Sequence, residues 1–293
     1  MNLREVRSGG QFFPFAVLLA ASAVCALILW GGPQLAGGAI SALSGDGPSS
    51  AAVDETIASI IVFGLILLAG LGGGALCGFS AARLGPRPGL RLLEGGGIGL
   101  VGFLIAAALA GIAGVLHRAH GGSGAGLLLW GTVIILLQAG SEEVFFRGWL
   151  QPVLVDSWGA PGVVVTAVAF AALHLVGGAT AAVSVLNLFL GGLLFGVLAA
   201  RFNGIAAAVA AHFSWNWAEQ LVLGLDPNPG SGSFGSILDF DLVGSAWWGG
   251  SKEGLNASVA MTFALAIILV PLLIFAARAG QPLEQRRPGR VAA

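Results

Sequence analysis

The sequence predicts an all-α fold, a polytopic membrane bundle of about eight transmembrane helices with both termini in the cytoplasm. Of the 293 residues, 56% are hydrophobic and only 9% are charged, and the mean hydropathy is +0.91. Soluble domains are about 45–50% apolar, so lipid is the expected solvent for most of this chain. Eight stretches approach the ~20 apolar residues that cross a bilayer: 12–30, 57–79, 97–116, 126–150, 161–176, 181–200, 204–222 and 257–277.

The positions of the charges predict the orientation of the bundle. Loops on the cytoplasmic side of a membrane are enriched in Lys and Arg. Ten of the 13 cations fall on one side of an eight-span arrangement, and they are Arg4, Arg7, Arg83, Arg87, Arg91, Arg201, Arg278, Arg286, Arg287 and Arg290. We therefore expect a single integral membrane domain over 1–293 that ends in a basic cytoplasmic tail, 278–293.

Two segments between the spans are expected on the external side. Segment 31–56 is rich in Gly, Ser and Ala, which is typical of a mobile loop. Segment 223–256 is longer and contains Trp247 and Trp248, which we expect to lie at the headgroup level as interfacial anchors. Many of the 48 glycines lie inside spans, where small residues let membrane helices approach closely.

Three charged residues at the end of the fourth span are the first candidates for a functional site. Glu142, Glu143 and Arg147 close an otherwise apolar run. A charge near the centre of a membrane helix costs about 2.5–3.5 kcal/mol on insertion scales, so such residues are functional candidates by default. Residues four apart share a helix face. We therefore expect Glu143 to pair with Arg147, which leaves Glu142 available for chemistry.

Two further spans carry polar residues at the same spacing. His174 follows Phe170 by four residues, and Asn216 follows His212 by four residues. Buried polar stripes of this kind must point into the interior of a bundle. His174 supplies an imidazole from one span, and His212 and Asn216 supply an imidazole and a carboxamide from another. Together with the carboxylate of Glu142, they form a set of four polar groups.

The connection between the fourth and fifth spans predicts that Glu142 and His174 lie at the same height. The run 158–161, Trp-Gly-Ala-Pro, reads as a tight turn, with Glu142 17 residues before Gly159 and His174 15 residues after it. At 1.5 Å per residue both side chains lie roughly 22–25 Å from the turn. An antiparallel hairpin would therefore bring the carboxylate and the imidazole together.

In their order and spacing, these motifs resemble those of the CPBP intramembrane protease family, also called the CAAX-protease or ABI family, which includes type 2 CAAX prenyl endopeptidases. The motifs are Glu142-Glu143-x-x-x-Arg147, Phe170-x-x-x-His174 and His212-x-x-x-Asn216. They lie within 126–222, the expected catalytic core. The resemblance implies an endopeptidase that cleaves a membrane-associated protein or peptide, with His212 and Asn216 stabilising the oxyanion.

The chemistry of peptide hydrolysis suggests a role for each residue. The attacking water must lose a proton, the oxyanion must be stabilised and the leaving amine must gain a proton. Glu142 is the candidate general base, and His174 would position the water or share the proton transfer. Glu143 and Arg147 would support them as a structural pair.

A metal site is the alternative that these residues leave open. Glu142, His174 and His212 would supply the three protein ligands of a catalytic zinc ion, with water as the fourth. The sequence has no His-Glu-x-x-His, the spacing that places two zinc ligands on one helix face. Asn216 favours the metal-free mechanism, because a carboxamide suits an oxyanion better than it suits zinc.

Two other classes of function stay open at this stage. Buried Glu, Arg and His also form relays in proton- or ion-coupled transporters, and the fold could serve as a non-catalytic immunity or chaperone scaffold. The sequence has no nucleic-acid signature. A single lysine beside abundant Ala and Gly fits a bacterial protein, so we expect the bacterial cytoplasmic membrane.

The remaining polar residues of the spans are expected to have structural roles. Gln138 and Asn187 are expected to form interhelical hydrogen bonds. Glu219, seven residues after His212 on the same face, is expected to be an interfacial carboxylate near the outer rim.

Overall fold

The computed structural model describes residues 12–44, 49–119, 125–228 and 232–278. Most of these residues are helical, and the helices pack side by side. The helices are α1 (Phe12–Ser44), α2 (Ala51–Leu76), α3 (Pro88–Ile112), α4 (Ala125–Glu143), α5 (Gln151–Trp158), α6 (Ala160–His174), α7 (Ala182–Phe202), α8 (Ala206–Trp217) and α9 (Val259–Arg278). A π-helical turn, Val144–Leu150, joins α4 to α5, and a second, Ala218–Leu223, continues α8.

Five described helices are long and apolar enough to cross a membrane. They are Phe12–Ser44, Ala51–Leu76, Pro88–Ile112, Ala125–Trp158 and Ala182–Phe202. The helix Ala160–His174 and the stretch Val259–Phe275 are apolar but shorter. The predicted membrane helix bundle is therefore supported, while the number of eight spans and the cytoplasmic termini stay predictions. Arg4, Arg7 and the tail beyond 278 lie outside the described residues.

The expectation of a loop over 31–56 is wrong for much of its length, because α1 continues to Ser44. This extension packs against α2. Ala36 is 2% exposed, and a Cβ on Gly32 would lie 2.8 Å from Cγ2 of Val62. The glycine that suggested a flexible segment instead allows α1 and α2 to approach closely.

The segment expected as an external loop, 223–256, contains regular structure. Strand β1 is Leu116–Arg118, β2 is Leu225–Asp226 and β3 is Phe240–Leu242. They form a small sheet in the order β1-β3-β2, with β1 antiparallel and β2 parallel to β3. The 3₁₀ turns Ala246–Trp248 and Gly254–Ala257 follow. The all-α prediction is thus wrong in this detail, and the third predicted span ends at Ile112 rather than 116.

The sheet forms because its short strands bury apolar side chains against the bundle. Leu225 and Leu242 are 2% and 3% exposed and belong to the same core cluster as α3, α7, α8 and α9. Trp247 is 64% exposed. Its role as an interfacial anchor stays a prediction.

The closest helix packing in the bundle joins α3 to α8 and depends on glycine. A Cβ on Gly95 or Gly99 would lie 2.1 Å from the carbonyl oxygen of Ala207 or Ala211, respectively. Any larger residue would force the two backbones apart. The expectation that small residues mediate helix packing is confirmed at this contact. The contact between α3 and α8 also holds in place the helix that carries His212.

The hairpin predicted around Gly159 is confirmed. The fourth helix continues through the π-helical turn to Trp158, and α6 begins at Ala160. Gly159 adopts φ 65° and ψ −143°, a conformation that residues with a Cβ rarely adopt. The turn sends α6 back along α5 and the π-helical turn Val144–Leu150, so the chain runs in opposite directions on the two sides of Gly159.

Candidate active site

The predicted pair of Glu143 and Arg147 is confirmed at the junction of α4 and the first π-helical turn. Nη1 of Arg147 donates a hydrogen bond to Oε1 of Glu143 at 3.1 Å, and both side chains are 0% exposed. π-Helical turns are rare and frequently mark functional sites. Here the turn begins directly after Glu143, so it sets the direction in which the following residues enter the bundle.

Arg147 also connects this turn to two other helices. Nη2 of Arg147 donates to the carbonyl oxygen of Gly192 on α7 at 2.9 Å. The guanidinium carbon lies 4.5 Å from the ring centroid of Phe170 on α6 and 5.5 Å from that of Phe195 on α7. A buried charge is costly unless it is paired and hydrogen-bonded. The carboxylate, the carbonyl and the aromatic faces compensate the charge, although Nε of Arg147 has no hydrogen-bond partner among the described residues.

Glu143 has a second partner that helical spacing did not predict. Nδ1 of His212 lies 2.9 Å from Oε1 of Glu143, the same oxygen that accepts from Arg147. A carboxylate paired with a guanidinium accepts hydrogen bonds and has none to donate. Nδ1 of His212 therefore carries the proton and donates, which leaves Nε2 available to the cavity.

An aromatic contact fixes the plane of the same imidazole. The ring of Phe195 stacks on His212 with the centroids 4.7 Å apart and the planes 15° apart. His212 is 7% exposed. One hydrogen bond and one stacking contact thus fix the ring, so Glu143 orients His212 in addition to pairing with Arg147.

His174, at the end of α6, has a defined tautomer as well. Its Nδ1 lies 2.7 Å from the carbonyl oxygen of Phe170. Because a carbonyl oxygen only accepts, Nδ1 carries the proton and donates. In the neutral ring, Nε2 is then a hydrogen-bond acceptor. The rings of Phe170 and His174 are also in contact, with their centroids 4.5 Å apart, which the four-residue spacing of the second motif permits.

Glu142 lies in the wall of a cavity of about 550 Å³ that His174, His212 and Asn216 also line. Glu142 is 8% exposed, and its Oε2 has no hydrogen-bond partner among the described residues. Buried polar oxygens are normally paired. The four residues predicted as the catalytic set therefore meet at one cavity, where Glu142 presents an unused acceptor.

The zinc alternative lacks a preformed ligand set. Across the described part of the chain, no three His, Cys, Asp or Glu side chains come together closely enough to hold a metal ion. The set named for zinc was Glu142, His174 and His212. Nδ1 of each histidine donates to a protein oxygen, which leaves each Nε2 free, an arrangement that zinc-binding histidines share. The three side chains are therefore not assembled as a zinc site in this structure.

Sequence reasoning missed several residues of the cavity wall. Glu219, expected as an interfacial carboxylate near the outer rim, is 4% exposed and lines the cavity, so it is buried in the protein, and its depth in the membrane stays a prediction. Its position seven residues after His212 was the available signal, because such residues share a helix face. Lys252, Glu253 and Asn256 also line the cavity. No local pattern could place them there, since segment 223–256 reaches the site only through tertiary packing.

The two structural expectations for polar residues in the spans have different outcomes. Nδ2 of Asn187 donates to the carbonyl oxygens of Asn256 and Ser258 at 2.8 and 2.9 Å, and Oδ1 accepts from Thr262 at 2.6 Å. The interhelical role of Asn187 is confirmed. Gln138 instead lines the cavity, and its Oε1 has no partner among the described residues.

Glu253 ties segment 223–256 to the beginning of α7. Its Oε1 accepts from the backbone N–H and Oγ1 of Thr180, each at 3.1 Å, and from the N–H of Ala181 at 2.9 Å. Thr180 and Ala181 directly precede Ala182, the first residue of α7, so the carboxylate holds the approach to this helix from a distant part of the chain. This contact fixes one side of the cavity.

Comparison with known families agrees with the motifs. Residues 124–218 match the family model described as type II CAAX prenyl endopeptidase Rce1-like. This range contains all three motifs, from Glu142 to Asn216, and ends just before Glu219. The match confirms the family resemblance that the motifs predict and supports a membrane endopeptidase. No curated protein matches the chain.

Proposed function

We propose that this chain, whose residues 124–218 match the type II CAAX prenyl endopeptidase Rce1-like family, is an intramembrane endopeptidase that hydrolyses a peptide bond in a membrane-associated protein or peptide. The observation that carries the proposal is the carboxylate of Glu142. It is buried in a cavity wall, its Oε2 has no hydrogen-bond partner in the part of the chain that the structure describes, and two histidines and an asparagine line the same cavity. Water or substrate would supply the missing partner.

The first step is attack by water on the scissile carbonyl carbon. Glu142 accepts one proton of the water as the general base. Nε2 of His174, an acceptor when Nδ1 donates to Phe170, accepts a hydrogen bond from the other hydrogen and orients the water. The water oxygen then forms a bond to the carbon, and the carbonyl oxygen becomes an oxyanion.

The second requirement is stabilisation of that oxyanion. The carboxamide N–H of Asn216 donates a hydrogen bond, and Nε2–H of His212 donates a second one when the ring is an imidazolium. Glu143 holds Nδ1 of His212, so the ring need not reorient as charge develops. Removing one such donor from an oxyanion hole typically lowers kcat by about 10²–10³.

Collapse of the tetrahedral intermediate completes the reaction. The C–N bond breaks, and Glu142 returns the proton it accepted to the leaving nitrogen. The products are a carboxylic acid and an amine, and Glu142 is again a carboxylate. The overall reaction therefore consumes one water and needs no other reactant.

Substitution of Glu142 tests this proposal. We expect Glu142→Gln to lower cleavage by about 10²–10⁴, the typical contribution of a positioned general base, with expression and folding unchanged. The measurement compares the termini of membrane proteins in cells that carry the wild type or the variant, followed by cleavage of an identified substrate by the purified protein. Glu94→Gln, which removes a carboxylate paired with Arg91 rather than one in the cavity, is the matched control.

The other outcomes separate the competing classes of function. Unchanged processing in Glu142→Gln would contradict the protease assignment. Full biological activity of that variant would instead indicate a non-catalytic immunity or chaperone scaffold. Ion flux in liposomes without any peptide substrate would indicate a transporter.

A further inference from the structure

Glu219 is a buried carboxylate for which the proposed mechanism has no use. It lies in the π-helical continuation of α8, is 4% exposed and lines the cavity that contains Glu142. Its burial is comparable to that of Glu142 itself. Glu219 therefore faces the space that a substrate would enter.

Glu219 has no cationic partner within the described residues. The ion pairs there join Arg91 to Glu94, and both Arg147 and His212 to Glu143. Glu253, the third carboxylate of the cavity, accepts hydrogen bonds from Thr180 and Ala181. An ionised carboxylate that is buried without compensation is costly. The side chain of Trp215, one turn earlier on α8, interacts with Glu219 but carries no charge to neutralise it. With Glu142 assigned to catalysis, Glu219 is the carboxylate of the cavity that a cation from outside the chain can compensate.

The charges around the cavity favour a cationic ligand. Three carboxylates line it, those of Glu142, Glu219 and Glu253, and among its described lining residues Lys252 is the only lysine or arginine. Lys252 is exposed, whereas Glu142 and Glu219 are buried. Clefts lined by one sign of charge concentrate ligands of the opposite sign. The inner part of this cavity thus attracts positive charge.

We propose that Glu219 binds the cationic side chain of a lysine or arginine in the substrate, and so selects basic peptides for cleavage. This inference rests on the proposed endopeptidase function. A buried carboxylate in the specificity pocket selects basic residues in trypsin by the same physical means. Here the carboxylate is supplied by the helix that also carries His212 and Asn216, so recognition and catalysis share one rigid element.

The spacing along α8 predicts where the basic residue lies. Glu219 follows His212 by seven residues, which is about 10 Å along a helix at 1.5 Å per residue. An extended peptide covers that distance in about three residues at roughly 3.3 Å each. With the scissile carbonyl beside His212 and Asn216, the selected lysine or arginine falls within about three residues of the cleaved bond.

Cleavage of a matched peptide library tests the inference. Acylated peptides carry a single lysine at successive positions, each paired with a norleucine peptide of the same sequence, and purified protein in liposomes cleaves them with products identified by mass spectrometry. We expect kcat/KM for the best lysine peptide to exceed that for its norleucine partner by at least about tenfold. Glu219→Gln should bring this ratio to about one, and Glu94→Gln should leave it unchanged.

A binding measurement keeps the inference separate from the proposed function. The inactive variant Glu142→Gln binds fluorescent versions of the same peptides, and we expect it to prefer lysine over norleucine by at least about tenfold. Adding Glu219→Gln should remove that preference. Preferential binding without cleavage by the wild type would overturn the endopeptidase and leave the cation site standing.

Two results would overturn the cation site itself. One is cleavage that depends on Glu142 but shows no preference for lysine, or a preference that survives Glu219→Gln. The other is equal binding of lysine and norleucine peptides by Glu142→Gln. Either result would indicate that Glu219 is held in the cavity wall as a neutral carboxyl group.

Discussion

At the scale of single residues, the main feature of the site is that one carboxylate oxygen accepts hydrogen bonds from side chains on two different helical segments. Oε1 of Glu143 accepts hydrogen bonds from Arg147 in the π-helical turn and from His212 on α8. A buried ion pair is weak evidence for stability, because desolvation offsets much of the attraction. The importance of the pair here is geometric, because the carboxylate of Glu143 that neutralises Arg147 also orients the imidazole of His212 toward the cavity.

Removing Arg147 should therefore cost much more than removing an exposed arginine. We expect Arg147→Leu to lower the free energy of unfolding by about 3–5 kcal/mol, because Glu143 is left buried without its cation. Equilibrium unfolding in mixed detergent micelles measures the change. Arg118→Leu, a substitution of an exposed arginine on β1, should stay within about 0.5 kcal/mol of the wild type.

A double variant checks the physical reason for that loss. Replacing Glu143 by Gln in the Arg147→Leu background should restore part of the stability, because no uncompensated charge remains. Strict additivity of the two substitutions would contradict the buried-charge explanation.

At the scale of elements, the cavity is completed by a segment distant in sequence from the three motifs. Segment 223–256 contributes β2, β3 and two 3₁₀ turns, and Glu253 attaches it to the start of α7. Lys252, Glu253 and Asn256 then form one side of the cavity. The segment therefore takes part in the site instead of acting only as a connection between spans.

The titration of Glu253 should control this attachment. Burial raises the pKa of Glu253, but hydrogen bonds from Ser184, Ala181 and Thr180 outweigh that effect and hold it below the ordinary value of 4.5. A carboxyl group with a lowered folded pKa stabilises the folded state above its unfolded pKa, and this contribution is lost as pH falls through the folded pKa. We expect exchange protection at Thr180 and Ala181, corrected for intrinsic rates, to fall below pH 4.5.

A matched variant identifies the group responsible. Glu253→Gln keeps an acceptor oxygen but cannot titrate, so its protection at Thr180 and Ala181 should not change across that range. Asp226 in the same segment has a pKa raised by burial and by Asp241 and Asp239, so its protonation stabilises the fold and acts in the opposite direction. Wild-type acid sensitivity that persists in Glu253→Gln would contradict the assignment.

At the scale of the whole molecule, helices from distant parts of the chain meet at one polar cavity inside an apolar bundle. α4 contributes Glu142, α6 contributes His174, and α8 contributes His212 and Asn216. Many apolar side chains on the outer surface are exposed, including Leu19, Leu129 and Phe275 at 71%, 71% and 61%. Such a surface suits lipid, while Glu142 and His212 are buried inside the bundle.

The metal content of the intact protein is predicted from the same arrangement. We expect the active, purified protein to contain much less than one zinc per chain and to keep its activity after treatment with 1,10-phenanthroline, because the named ligands form no three-residue cluster. Elemental analysis alongside the cleavage assay checks this. Stoichiometric zinc, with activity lost on chelation and restored by added zinc, would contradict the metal-free mechanism.

Local periodicity predicted those features that depend on neighbours along one helix or across one turn. The contact of Glu143 with Arg147 follows from four-residue spacing, and the hairpin follows from a glycine and a proline between two apolar runs. The presence of Glu142 and His174 in the lining of one cavity agrees with the similar height obtained by counting residues from Gly159. Each of these requires only the fixed rise and period of an α-helix.

Features that depend on the relative rotation and depth of different helices could not be predicted in this way. Helical spacing assigned Glu143 to Arg147 alone, and it had no means of finding His212 on another helix. It also placed Glu219 at the rim, because the π-helical continuation and the packing of segment 223–256 over the cavity have no local signature. The small sheet was missed for the same reason, since its strands are two or three residues long.

The amino-acid sequence alone was sufficient for the membrane class, the family resemblance and the choice of four polar residues that line one cavity, because hydropathy and helical period are properties of consecutive residues. Their catalytic roles stay a prediction. Tertiary packing was needed to join Glu143 to His212, to bury Glu219 beside the catalytic set and to bring Glu253 to the start of α7. These contacts arise where separate helices and a long connection pack together. Their geometry depends on close side-chain packing across the bundle, which no single stretch of sequence encodes.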